Sequence, residues 1–444
     1  MGITADHLVP FERSTVWDWH TRPGAVARLT PNFLPLKPVK QAERLSNGTT
    51  IFSLPAGLKW VARHDLSGYQ AGHVFTDVCI NAPIRAVANW KHVHRFSDDD
   101  EGTRITDEIS SRLPARTLEP VIAYRQQQLL KDLDFLHRSG EHEPLTIAMT
   151  GSRGHVGRAL TAQLTTAGHT VIQLVRNEPK SGQRHWHPTH PASDLLEGVD
   201  AVVHLAGEPL FGRFNESHKE AIYSSRVKPT HMLSKLAAKS DVKVFVSASA
   251  IGYYGPGGSE SPIDETTERG DGFLADTVAD WENATQPARD AGIRVVNIRS
   301  GIALASNGGV LPIFRAVSAT GLSSRFGDGE FWMSWIALDD LTDIYFTALI
   351  DDRLAGPVNA TAPFPVMNSE LSREISSALK TPTLIPVPTF GPRILLGKEG
   401  AEELVLADQN VTPSVLQTLG HTFRYPHLTE ALAHELGTEK LFGA

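Results

Sequence analysis

Apolar and polar positions fall into two textures along the 444 residues of the chain. In the first third, apolar residues come in short runs rich in aromatic and β-branched side chains, with turn residues between them. On that pattern Thr50–Pro55, His73–Ile80, Val87–Phe96 and Gly102–Pro114 read as β-strands. From Thr117 to Arg138 the period becomes helical. At about 100° per residue, Leu118, Val121, Ile122, Leu129, Leu133 and Leu136 share one stripe. Arg125 projects into the middle of that stripe, where it either snorkels to water or sets a cation at the mouth of a ligand cavity.

A polar seam, HRSGEHEP at 137–144, closes this texture. After it, strand-like runs (LTIAMTG, TVIQLVR, DAVVHLAG, VKVFVSASA, IRVVNIRSGIAL) alternate with helical segments near Val156–Ala167, Glu216–Lys239 and Asp276–Ala291. Continuous apolar strands separated by helices imply a parallel sheet covered on both faces. From about Asn307, short helices, Pro-rich turns and aromatic residues read as a C-terminal cap that would set a substrate beside a cofactor. The expected organisation is one domain over 1–140 and a second, α/β, domain over 141–444.

Bulk numbers narrow the partners. A net charge of −8 offers no basic field for nucleic acid or anionic lipid. No apolar run approaches the ~20 residues of a membrane helix. Cys79 is the single cysteine, so no internal disulfide forms, and the start of the chain lacks a basic-then-apolar leader, which makes the cytoplasm the expected location. His185, His187 and His190 are the densest of 19 histidines, but their spacing is not zinc-like and no metal site is expected.

TGSRGHVG, residues 150–157, follows a strand-like run and opens an amphipathic helix. That context gives a three-glycine pattern its meaning. Gly151 would allow a tight turn, Gly154 would let backbone approach a pyrophosphate, and Gly157 would let helix and strand pack closely. Ser152, Arg153, His155 and Val156 complete the loop as cofactor-binding candidates. The helix start would offer unpaired N–H groups and about half a positive charge to phosphates. Arg176 stands at the end of the second strand, where NAD enzymes place an acidic residue for the ribose 2′-OH. Arginine cannot accept that bond but can pair with a 2′-phosphate, and Arg153 points to the same region. The pattern therefore favours NADP(H), with Glu178 two residues on as the contrary feature. Small residues in HLAG would let Leu205, Ala206 and Gly207 pass close under the ribose or adenine, and Ser247 and Ser249 close the next strand.

Together, TGSRGHVG, HLAGE, SASAIGYYG, IRSGIAL with Gly308 and Gly309, SWIALDDL and GPVNATAPFPV resemble the atypical, extended short-chain dehydrogenase/reductases of the nucleoside-diphosphate-sugar epimerase-like (SulA-type) family, over about Leu145–Leu436. The resemblance implies a Rossmann-type doubly wound sheet binding NADP(H), with contacts also from Leu205, Ala206, Glu220 and Arg226. The first 140 residues, especially WDWHTRPGAVARLTP, resemble the START-like cyclase/dehydrase superfamily. That implies an α+β helix-grip fold: a curved antiparallel sheet around a long C-terminal helix, with an apolar cavity between them that offers room for an apolar ligand.

Such enzymes use Tyr-x-x-x-Lys beside a serine. Ser249 occupies the serine position, but the expected region, GFLADTVADWE, has neither tyrosine nor lysine. Phe273 or Leu274 replaces the one, and Thr277 or Val278 the other. Tyr253 and Tyr254 are the candidate substitutes, followed by Asp264, Glu265 and Asp271 on a nearby loop. Trp335 reads as an apolar wall. Two functions compete: an NADP(H)-dependent oxidoreductase or epimerase acting on a sugar nucleotide or hydrophobic carbonyl compound, and a catalytically impaired NADP(H) sensor or ligand-binding module. The resemblance allows a homodimer.

Overall fold

The computed structural model describes residues 2–258, 261–381 and 385–442. It divides into two compact units, the first Met1–Glu141 with Thr161–Gly168 and Ala433–Ala444, the second His142–Leu160 with His169–Leu432.

The first unit is built on β1 (Gly2–Val9), α1 (Arg13–Thr21), α2 (Ala25–Arg28), β2 (Lys37–Lys40), β3 (Thr49–Ser53), β4 (Lys59–His64), β5 (Val74–Cys79), α3 (Ile84–Ala88), β6 (Lys91–Asp99), β7 (Gly102–Ser110) and α4 (Ala115–Ser139). Its seven strands pair in the order β1-β7-β6-β5-β4-β3-β2, antiparallel throughout. The stripe foreseen on α4 is real: Leu118, Ile122, Leu129 and Leu133 are buried, and Gly140 ends the helix at φ +71°. Between α4 and the sheet lies a cavity of about 490 Å³, walled by Phe52, Trp60, Phe75, Leu118 and Val121. Arg125 lines this cavity and donates to the Leu29 carbonyl at 3.3 Å, so it is a wall cation and not a purely solvent-facing one.

The strand expected over Val87–Phe96 is corrected at its start. Residues 84–88 form α3, Asn89 adopts φ +44°, and pairing begins only at Lys91. Strands β1, β2 and β4 escaped the sequence reading. β2 is a charged edge strand of four residues, too short and too exposed for an alternation to show.

The second unit contains β8 (Thr146–Thr150), α5 (His155–Thr166, whose last residues group with the first unit), β9 (Thr170–Val175), β10 (Gln183–His185), β11 (Ala201–His204), α6 (Glu216–Ser224), α7 (Val227–Ala237), β12 (Val244–Ala250), α8 (Phe273–Asn283), α9 (Gln286–Asp290) and β13 (Arg294–Ser300). With the strand Gly356–Ala360 they make a seven-stranded sheet in the order β10-β9-β8-β11-β12-β13-(356–360), parallel at every step. Ile147, Ala148, Val202, Val203, Phe245, Val246, Val296 and Ile298 are buried, as continuous apolar strands between two helical layers should be.

Three expectations are adjusted. The run IRVVNIRSGIAL is two strands: at Gly301 a Cβ would come 2.4 Å from the Ser334 carbonyl oxygen, and residues 302–305 leave the main sheet to pair with Trp335–Ala337. The helix expected over Glu216–Lys239 breaks at Ser225–Arg226. The segment from about 307 is not wholly a cap, because the buried helix Leu338–Ile350 and the strand Gly356–Ala360 return to complete the core.

Candidate cofactor site and its buried polar network

Strand β8 pairs with β9 on one side and β11 on the other, so the chain winds in opposite directions from it. Loops at the carboxyl ends of strands diverge at such a switch point and leave a crevice. The glycine loop lies there, between Thr150 and the start of α5. Gly151 has φ +67°, and a Cβ on it would stand 2.7 Å from the Leu205 carbonyl carbon. At Gly157 a Cβ would stand 2.3 Å from the Gly151 carbonyl oxygen. Both clashes are with backbone, so neither neighbour can swing aside. Gly154 donates its N–H to the Gly151 carbonyl at 2.9 Å and closes the turn. Ser152 is buried and Val156 half-buried, while Arg153, Gly154 and His155 face outward at the helix start. The His155 ring lies so close to Gly308 that a Cβ there would meet it at 2.1 Å.

Thr150 ties this loop to the next strand end. Its hydroxyl oxygen accepts the N–H groups of Leu205 at 3.1 Å and Ala206 at 3.2 Å, and stands 2.8 Å from His204 Nδ1. With both lone pairs engaged, the hydroxyl proton goes to Nδ1, which assigns the imidazole proton to Nε2. Burial lowers the His204 pKa to about 4. Because the folded value lies below the ordinary 6.5, the native state binds fewer protons than the unfolded chain. This stabilisation is complete above pH 6.5 and is lost as pH falls toward 4. Over that window His204 contributes about 3 kcal/mol. Replacing it with leucine is expected to flatten the pH dependence of thermal unfolding between pH 7 and 4.5, and an unchanged slope would contradict the assignment.

Gly207 is exposed, and a Cβ on it would lie 3.1 Å from Arg226 Cζ. Arg226 itself donates to the carbonyls of Glu208 at 2.9 Å and Ile222 at 3.1 Å, and its guanidinium sits 5.2 Å over the Trp281 ring. It braces the loop from behind, with burial lowering its pKa to about 10. Glu220 is exposed on α6, and the Ser247 hydroxyl donates to the Ala248 carbonyl at 3.0 Å. Arg176, directly after β9, and Arg153 are both exposed, and neither side chain has an ion-pair partner among the described residues.

The candidate acid–base residues converge on a buried network. Ser249 Oγ donates to Glu282 Oε1 at 2.6 Å. Arg299 grips the same carboxylate through Nε and Nη2, both at 2.8 Å. Arg299 Nη1 also donates to the Tyr254 hydroxyl at 3.0 Å, which donates onward to Asn359 Oδ1 at 2.8 Å. Burial pushes the Tyr254 pKa up to about 12, against the lowering effect of Arg299. Its hydroxyl is fully committed. Tyr253 differs: it is half-buried, its ring centroid lies 3.5 Å from Arg299 Cζ, and its hydroxyl has no hydrogen bond among the described residues. Asp264 turns onto Thr266, Glu265 accepts the N–H of Asn359 at 3.0 Å, and Asp271 is exposed. On α8, Phe273 is half-buried and Leu274, Thr277 and Val278 are buried, so no tyrosine–lysine pair stands there. Trp335 is a buried wall whose indole N–H donates to the Phe364 carbonyl at 3.0 Å. Glu282 and Arg299 were missed in the sequence, although an arginine directly after Ile298 in a strand expected to be covered on both faces was a signal that a buried counter-charge had to exist.

Residues 147–359 match the family model described as the NAD dependent epimerase/dehydratase family, and residues 387–435 match a domain of unknown function. An epimerase family protein of Mycobacterium bovis is 39% identical over 292 residues, covering 65% of this chain and 96% of that protein. The crystal structure of a nucleoside-diphosphate sugar epimerase from Corynebacterium glutamicum is 55% identical, superposes with a TM-score of 0.90, and spans 99% of this chain and 91% of that one. The human epimerase family protein SDR39U1, crystallised with NADPH, is 29% identical with a TM-score of 0.61, over 66% of this chain and 99% of its own.

Proposed function

The chain belongs to the NAD-dependent epimerase/dehydratase family, and from that premise we propose that its second unit is an NADP(H)-dependent oxidoreductase or epimerase-like enzyme acting on a sugar nucleotide or a hydrophobic carbonyl compound. One observation carries the coenzyme reading: Arg176 is exposed at the end of β9 with no ion-pair partner among the described residues, where a 2′-phosphate would need a cation. The NADPH held by the human relative supports it. When bound, NADP(H) supplies or accepts the hydride.

The chain's own part is to cradle phosphates at the α5 start and to move a proton at the substrate oxygen. We assign the proton to Tyr253, whose hydroxyl is uncommitted, and the positive charge beside it to Arg299, in place of the absent lysine. Ser249, Glu282 and Tyr254 hold Arg299 in position. We read the first unit as a START-like helix-grip module with an apolar ligand in its cavity, a reading supported by its antiparallel sheet, α4 and the space between them. The second reading, an NADP(H) sensor, draws on the lack of tyrosine and lysine in α8. Coenzyme consumption, together with chromatographic detection of product formed with NADP⁺ or NADPH, across a panel of nucleotide sugars, ketones and aldehydes separates the two, because an epimerase returns its hydride and consumes no coenzyme. Turnover of any member supports the enzyme, and binding of NADPH without turnover across the panel supports the sensor.

A further inference from the structure

We propose that the first unit carries a divalent transition-metal site formed by Asp77, His92 and His94 at the wall of its apolar cavity. The sheet register creates the cluster. Asp77 on β5 is directly opposite His92 on β6, and His94 is directly opposite Asp107 on β7. Alternate residues of a strand share a face, so the two histidines and both carboxylates lie together, and Asp77, His92 and His94 line the cavity.

The nitrogens are divided in a way that hydrogen bonding alone does not require. Asp107 Oδ1 takes one nitrogen from each ring, His92 Nε2 at 2.7 Å and His94 Nδ1 at 2.9 Å. The remaining nitrogens, His92 Nδ1 and His94 Nε2, face Asp77 Oδ2 at 3.8 and 3.5 Å. Those separations are long for hydrogen bonds. They are near the ~3.3–3.5 Å that separates two ligands of a tetrahedral ion with bonds of about 2.0–2.1 Å. The three ligand atoms all lie within 4.8 Å of one another. The other oxygen of Asp77 accepts the Trp90 indole N–H at 3.0 Å, which fixes the carboxylate. Asp107 thus has the part of the outer carboxylate that orients metal-bound imidazoles and sets which nitrogen is free to ligate.

Charge and surroundings agree. The half-buried Asp77 and buried Asp107 carboxylates, beside two imidazoles that ligate as neutral groups, carry a double negative charge that the Arg125 guanidinium on the same cavity wall offsets only in part, which favours a divalent ion. Two histidines and one carboxylate suit zinc or ferrous iron, and three protein ligands leave a position open. Here the open position faces an apolar space walled by Phe52, Trp60 and Val121. The ligand that fits is an apolar molecule carrying one carbonyl or hydroxyl oxygen for the metal.

The test uses the full-length chain, stripped with chelator and titrated with Co²⁺, whose visible ligand-field absorption reports a low-coordinate site. One Co²⁺ per chain is expected, displaced by one equivalent of Zn²⁺. His94→Ala should abolish the absorption, and Asp107→Asn, which keeps all three ligands, should weaken affinity about 10–100-fold. Near-ultraviolet circular dichroism checks that each variant is folded. If His94→Ala fails that check, the wild-type stoichiometry and the Asp107→Asn shift decide. Absence of a saturable Co²⁺ spectrum in the wild type, or identical weak binding in all three proteins, would overturn the site and leave a hydrogen-bonded cluster only.

Discussion

Tyr253→Phe is expected to lower turnover by about 10²–10⁴-fold, the usual contribution of a positioned acid or base, without changing NADPH affinity. The variant removes one oxygen and keeps the ring that packs on Arg299, so packing is preserved and only the proton is lost. Tyr254→Phe is the internal comparison. Its hydroxyl links Arg299 to Asn359 and its pKa is pushed up to about 12, which suits a brace and not a proton donor at neutral pH. Tyr254→Phe should therefore act mainly on stability, by roughly 1–3 kcal/mol for the buried partners left unpaired. If Tyr254→Phe abolished turnover while Tyr253→Phe did not, the two roles would have to be exchanged.

Glu282→Ala is expected to destabilise the second unit by about 3–5 kcal/mol, because it strands a buried guanidinium without its counter-charge. The pair is largely buried, with side-chain exposures of 4% for Arg299 and 11% for Glu282, so solvent cannot take the place of the lost carboxylate. Removing both charges is different. A Glu282→Leu/Arg299→Met double variant should recover most of the loss in urea unfolding, since apolar replacements of buried pairs are often neutral or better. If the pair is kept for chemistry, that double variant regains stability without regaining turnover. A single variant as stable as the wild type would show that Arg299 finds another partner.

The sequence was most legible where local chemistry and tertiary role coincide. The glycine loop could be read because a positive φ at Gly151 and backbone contact at Gly157 demand residues without a Cβ. The parallel strands could be read because burial on both faces makes them uniformly apolar. Strands β2 and β4 of the first unit could not, since they expose lysines and arginine and show no clean alternation. The break at Gly301 was invisible for a similar reason: its cause is the Ser334 carbonyl, more than thirty residues away. The polar networks were hardest. Ser249 was found by motif position, but its partners Glu282 and Arg299 lie on other elements, and the Asp77–His92 and His94–Asp107 pairs exist only in the sheet register.

Calorimetric titration with NADPH and NADH shows whether backbone amides at the start of α5 hold a pyrophosphate while Arg176 takes the adenosine-side phosphate. One NADPH per chain is expected, with NADH weaker by about 10–100-fold and near-equal affinities in Arg176→Glu. Equal affinities for both coenzymes in the wild type, or no heat with NADPH at all, would contradict it.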